Sequence, residues 1–177
     1  MEIEILQAGE EHLTDIAALA KSRSLDGLDE AVARREGFLV SAYDETVYRA
    51  RLSAHEYFQV AVEDGNVVGF VLAYANRHFG ADEWLNRRVA DELGGILVVK
   101  QVCVAREAAG HGIGSLLYRH VLDGWTTTPV VAAVVAEPRN EASNAFHGKH
   151  GFGVMFTLRP PDGRLRNVWV RPGQTGL

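Results

Sequence analysis

A single cysteine, Cys103, stands in the 177 residues. It excludes an internal disulfide framework and fits a reducing compartment, so a cytoplasmic location is expected. Basic residues are outnumbered, 18 Lys and Arg against 23 Asp and Glu, for a formal net charge of −5. Nucleic-acid binders usually carry a basic footprint, and this chain has none, so no nucleic-acid partner is expected. No apolar run approaches the roughly 20 residues of a membrane helix. The longest, Val130 to Ala136, has the length of a strand. The opening residues, MEIEILQAGEEH, are acidic and lack the apolar core of a signal peptide. Repeats, low-complexity tracts and interdomain linkers are missing too. Residues 1–177 therefore read as one domain with no membrane partner.

What is present is an ordinary core-forming composition, 47% apolar and 23% charged, which suffices to bury a core without staples. Alternation predicts a strand over Glu2 to Gln7, and a 3.6-residue stripe of Leu13, Ile16, Ala17 and Ala20 predicts a helix over Glu11 to Ser22. Leu25 to Leu28 reads as a loop, Asp29 to Arg35 as helix, Gly37 to Ser41 as extended and Asp44 to Ala54 as helix. Tyr57 to Glu63 and Val67 to Tyr74 form the clearest hairpin, split by Asp64-Gly65-Asn66. A helix over Asp82 to Leu93, with Trp84, Leu85, Val89 and Leu93 on its apolar stripe, ends at Gly94-Gly95. Ile96 to Ala105 is a long strand. Ile113, Leu116, Leu117, Val121 and Leu122 mark the apolar face of a helix over Ile113 to Asp123. Val130 to Ala136 is apolar throughout, as in a strand covered on both faces. Glu141 to His150 is a short helix capped by Asn140 and stopped by Gly151. Phe152 to Leu158 sets Phe152, Val154, Phe156 and Leu158 on one side, and a last strand covers Leu165 to Arg171. One strand–helix–strand unit, Ile96 to Ala136, implies a parallel crossover in an otherwise antiparallel sheet. The fold class is α/β with a mixed sheet and helices on both faces.

Between the long strand and the helix at Ile113 lies AGHGIGS, with glycine at 110, 112 and 114. Glycine there permits positive φ and close approach of a ligand to the backbone. The helix start that follows offers unpaired N–H groups and a positive dipole end to an anion, phosphate above all. A P-loop needs Gly-Lys-Ser or Gly-Lys-Thr, and Gly114-Ser115 has no lysine. A dinucleotide loop needs a third glycine where Ser115 stands, and too little chain follows to complete a doubly wound sheet.

Two joined pieces carry a resemblance. Val102-Cys103-Val104 leads into the glycine loop, which is similar, over Ala109 to Gly114, to an (Arg/Gln)-x-x-Gly-x-(Gly/Ala) pattern. Asn140-x-x-Ser143-x-x-Phe146-His147-x-x-x-Gly151-Phe152 follows one helix and one strand later. Together they resemble the GNAT superfamily of acyl-CoA-dependent N-acetyltransferases, and the order of elements agrees over nearly the whole chain; the segment from Leu25 to His55 carries no anchoring motif. The resemblance implies acetyl-CoA as cosubstrate. No metal is expected, because His147 and His150, at i and i+3, have no third ligand at motif spacing. The resemblance also implies a pyrophosphate held on Gly110, His111, Gly112, Ile113, Gly114 and Ser115. It further implies a pantetheine arm paired with the backbone of Val102, Cys103 and Val104, one N–H of which polarises the thioester carbonyl. Asn140 is read as a cap and a cofactor contact together.

Two departures stand out. Ala109 occupies the Arg/Gln position of the loop pattern. His147 stands where many relatives have the tyrosine that protonates the leaving thiolate; an imidazole of ordinary pKa near 6.5 has the chemistry to replace it. His147 also has the plainer reading of a half-exposed helical histidine. An acceptor ammonium must lose a proton before it attacks, so a base is expected, with Glu137 first and Asp82 and Glu83 beside it. The implied reaction is direct acetyl transfer to a primary amine of a small molecule or peptide. The alternative is a catalytically inactive acyl-CoA-binding sensor. A homodimer is an assembly found among many relatives.

Overall fold

The computed structural model describes residues 2–40 and 42–174. Seven strands form one sheet: β1 (Ile3–Gln7), β2 (Tyr57–Glu63), β3 (Asn66–Ala75), β4 (Leu97–Val104), β5 (Val130–Val135), β6 (Gly153–Leu158) and β7 (Arg166–Arg171). Their order is β1-β2-β3-β4-β5-β7-β6. Every neighbouring pair is antiparallel except β4 and β5. Six helices accompany them: α1 (Leu13–Ser22), α2 (Glu30–Glu36), α3 (Glu45–Arg51), α4 (Trp84–Leu93), α5 (Ile113–Gly124) and α6 (Glu141–Lys149). The mixed sheet read from the sequence is thus the observed one, and the parallel pair is joined by α5.

Strand alternation distributes the helices over both faces. Phe70 meets Tyr48 of α3 edge-to-face, and Cys103, its partner across β4, lies against Leu19 of α1. Gly69, one residue along β3, faces the other way, where an added Cβ would sit within 3.3 Å of Ile113 and Leu117 of α5. A smaller cluster packs Leu85 and Val89 of α4 on Val98, Val131, Val168 and Val170.

The region without a motif is ordered by caps and long-range ties. Asp29 accepts from the N–H groups of Ala31 and Val32 to start α2, and Asp44 accepts from Val47 to start α3. Leu39 bridges to Ser24, so the extended piece expected from Gly37 to Ser41 is a single bridge, with Ser41 itself outside the described residues.

Two irregularities of pairing depart from the sequence reading. In β4 the register with β3 shifts so that Leu72 faces Gln101 and Ala73 faces Val99, leaving Lys100 as an extra residue. Such a bulge bends its strand. β4 pairs with β5 only through Leu97–Val130 and Val98–Val131, directly before the bulge, and the strands separate beyond it. Ala133, expected to be covered on both faces, is exposed as a result. The second irregularity lies in β6, where the register slips between Val154 and Phe156. Met155 is the extra residue, so Val154 and Met155 are exposed, and the one-sided row expected over Phe152 to Leu158 is broken.

Candidate functional site

The gap between β4 and β5 is the site's foundation. Ala105 donates from its N–H to the Val68 carbonyl at 2.8 Å. Antiparallel alternation then gives Cys103 and Gln101 to β3 and turns the N–H and C=O groups of Val102 and Val104 the other way. β5 has left that side, so these groups are offered to the gap. Cys103 is a correction: its backbone belongs to the β3 ladder, its side chain is buried toward α1, and burial pushes its thiol up to about 12. Iodoacetamide is therefore expected to leave activity intact in the folded protein. Rapid loss of activity with modification at Cys103 alone would contradict this placement.

The glycine loop closes one end of the gap. Gly110 and Gly112 have φ of +83° and +79°, and a Cβ at either would meet no protein atom within 4 Å. Gly112 is the N-cap of α5, whose first amides have no partner within the helix. Ser115, in that first turn, has its hydroxyl 3.1 Å from His150 Nε2 and 3.4 Å from Lys149 Nζ. A cavity of about 370 Å³ brings together Val102, Cys103, Val104, Gly110, Gly112, Ile113, Gly114, Ser115 and Asn140. His111 is exposed and lines no wall of it. Asn140 has its side chain engaged: Oδ1 accepts from Ser143 at 3.1 Å, and Nδ2 donates to the Phe38 carbonyl at 3.2 Å. Its role is to start α6 and to tie that start to the segment after α2.

These features suit a phosphorylated ligand with an extended amide arm. Unpaired helix amides and open glycine backbone lie at one end, and two strand residues with unpaired peptide groups lie along the wall.

A second cavity, of about 500 Å³, continues the gap toward α3, α4 and the turn between β6 and β7. His147 and Tyr118 line it, as do Asp82 and Glu83. His147 is buried, not half-exposed. Its Nδ1 lies 2.7 Å from the Ser143 carbonyl, which can only accept, so Nδ1 carries the proton. Nε2 is then an acceptor, and it lies 2.6 Å from the Tyr118 hydroxyl, which donates to it. Burial lowers the His147 pKa to about 4, the Ser143 hydrogen bond opposing and the nearby His150 assisting. The expectation of a group poised near 6.5 is therefore corrected. Burial likewise pushes the Tyr118 phenol up, so it keeps its proton.

The sequence stripe places Leu116 on the buried face of α5 and does not include Tyr118. The structure exposes Leu116 and buries Tyr118 against Phe146, His147, His150 and Phe152. A signal was there: Tyr118 continues the Gly114–Tyr118–Leu122 row of the helix, and a buried phenol needs a partner.

The three carboxylates fare differently. Glu137 is exposed and lines neither cavity. Glu83 accepts from the Tyr74 hydroxyl and from the Gly80 N–H at 3.0 Å, and lies 3.5 Å from Arg51 and 3.6 Å from Lys100. It is saturated with donors. Asp82 is exposed at the cavity mouth and, among the described residues, is in no ion pair.

No curated protein matches the sequence. A sequence model described as the acetyltransferase (GNAT) family matches residues 25–152. The fold is similar to the ribosomal-protein-S18-alanine N-acetyltransferase of Escherichia coli (TM-score 0.68, 13% identity, 99% of this chain and 97% of that one). It is similar to Arabidopsis thaliana Naa50 in complex with the bisubstrate analogue CoA-Ac-MVNAL (0.66, 17%, 97% and 99%). It is also similar to Arabidopsis thaliana NAA60 in complex with acetyl-CoA (0.67, 15%, 97% and 99%). Among the described residues no helix is long and apolar enough to cross a membrane.

Proposed function

The chain belongs to the acetyltransferase (GNAT) family, and from that premise we propose that it transfers the acetyl group of acetyl-CoA directly to a primary amine. The observation that carries this reading is the splayed β4–β5 gap, with the loop amides at one end and the Tyr118–His147 pair at the other. Gly110, Gly112, Ile113, Gly114 and Ser115 hold the pyrophosphate, and the peptide groups of Val102 and Val104 hold the arm. The Val102 N–H polarises the thioester carbonyl. As the new amide bond forms and the thioester bond breaks, the amine loses a proton and the leaving sulfur gains one. Tyr118 supplies the latter when its hydroxyl turns from His147 Nε2 to the sulfur, and the phenolate left behind regains a proton from the water that carries the one shed by the amine; His147 holds the hydroxyl in place until then. His147 thus acts through Tyr118 and not as the acid itself. Asp82 is the carboxylate best placed to take the amine's proton, through water. The acceptor is a small-molecule or peptide amine; the peptide portion in the Naa50 complex makes short peptides with free N-termini the first to test. The lone, buried Cys103 supports a cytoplasmic setting.

The experiment is to supply acetyl-CoA with a panel of peptides, polyamines and amino acids and to follow release of free thiol. Acceptor-dependent thiol release is expected. Saturable acetyl-CoA binding with no turnover for any acceptor would favour the second reading, an inactive acyl-CoA sensor. The saturation of Glu83 and the remoteness of Glu137 speak for that second reading.

A further inference from the structure

Two charged side chains on the wall of the loop cavity each leave one polar atom unsatisfied. Arg23, just past α1, donates from Nη2 to the Glu36 carbonyl at 2.9 Å. Arg106 donates from Nη2 to Glu36 Oε1 at 2.9 Å. Arg23 Nη1 and Glu36 Oε2 remain, both buried and without a hydrogen bond among the described residues. They lie 3.5 Å apart, an ion pair without hydrogen-bond geometry. Arg23 is only 8% exposed, and both residues line the cavity shared by Val102, Val104 and the glycine loop. Native proteins seldom keep a buried charged donor and acceptor unsatisfied without a reason.

We propose that Arg23 and Glu36 recognise the pantoyl end of the CoA arm, Nη1 donating to its carbonyl and Oε2 accepting from its hydroxyl. This rests on the reading of the cavity as a CoA site. In the pantoyl group the hydroxyl and the carbonyl sit on adjacent carbons, a donor beside an acceptor. The cavity offers the complementary pair, an acceptor beside a donor. The position agrees. Glu36 is tied to Arg106, close in sequence to Gly110, and the pantoyl group joins directly to the pyrophosphate. A phosphate oxygen would suit Arg23 but be repelled by Glu36, so the juxtaposed opposite charges favour a neutral group with both functions. Glu36 is the last residue of α2, so the segment without a motif contributes a wall of the site and a selectivity for the intact arm.

The test compares CoA with 3′-phospho-ADP, which is CoA without its arm, by calorimetric titration of the wild type and of Glu36→Gln, with circular dichroism to verify the fold. Loss of one charge-assisted hydrogen bond should weaken CoA roughly ten- to hundredfold and leave 3′-phospho-ADP unchanged. A CoA analogue with hydrogen in place of the pantoyl hydroxyl should bind the wild type more weakly by a similar factor. It should bind Glu36→Gln as CoA does; this arm needs no stability from the variant beyond folding. Equal weakening of both ligands by Glu36→Gln, or full wild-type affinity for the deoxy analogue, overturns the assignment. If the wild type binds neither CoA nor 3′-phospho-ADP, the CoA reading itself fails and this site falls with it.

Discussion

Gly112→Leu is expected to abolish measurable acetyl-CoA binding while the protein still folds. Gly112 sits at φ +79° with nothing within 4 Å of an added Cβ. A side chain there displaces no protein atom, so the folding penalty is the left-handed backbone alone, about 1–2 kcal/mol, against a typical total of about 5–15 kcal/mol. The same side chain projects over the amides that start α5, in the space a phosphate must enter. Binding should weaken more than roughly 100-fold, which corresponds to about 2.7 kcal/mol or more. Gly65, in the β2–β3 turn, is the control. Its φ is +80° and its surroundings are equally open, so Gly65→Leu carries a similar strain with no ligand nearby. Calorimetric titration and thermal melts of the two variants separate strain from occlusion. Equal acetyl-CoA affinity in Gly112→Leu and the wild type would remove the loop from the site.

The loop was legible because its signal is local. Positive-φ positions demand glycine, and a helix start announces itself by what precedes it. The same holds for the hairpin at Asp64-Gly65 and for Asn140 as a cap, each set by residues within one turn. What escaped the sequence arises from pairing across the sheet. The bulge at Lys100 opens β4 from β5, yet no residue around it marks a bulge; it exists because β3 and β4 slip by one residue. Met155 breaks the alternation of β6 for the same reason. Arg23 and Glu36 lie thirteen residues apart, joined across a segment whose order depends on Asn140, far along the chain, reaching Phe38. A motif marks His147, but its titration is set by packing that no motif carries. Sequence places an imidazole on a helix, whereas only packing shows it enclosed by Tyr118, Phe152 and Trp169.

That enclosure fixes the last expected result, a fall in kcat of roughly 100-fold or more for Tyr118→Phe with acetyl-CoA affinity unchanged. At pH 7 a group with a pKa of about 4 is charged in roughly one molecule per thousand. Its Nδ1 proton is committed to Ser143, so neutral His147 has no proton to give into the cavity. The Tyr118 hydroxyl has one: burial raises its pKa, so the resting phenol is protonated, and its O–H donates to His147 Nε2 until the hydroxyl turns to the sulfur. Phenylalanine removes the proton while retaining the ring that packs on Phe146 and Phe152. It leaves His147 Nε2 without a donor, a loss of about 1–3 kcal/mol in stability that melts will register separately from kcat. The pH dependence sharpens the assignment. His147 is depressed in the folded state, so its contribution to stability is complete above its unfolded pKa of about 6.5. That contribution is lost as pH falls toward about 4, amounting to about 3 kcal/mol. In kcat, by contrast, no ionisation near 6.5 should arise from His147, and its replacement by glutamine should lower kcat without moving the profile. A Tyr118→Phe variant that turns over at the wild-type rate would sink the tyrosine's role. A wild-type profile in which a limb near 6.5 disappears in His147→Gln would return the proton to the imidazole.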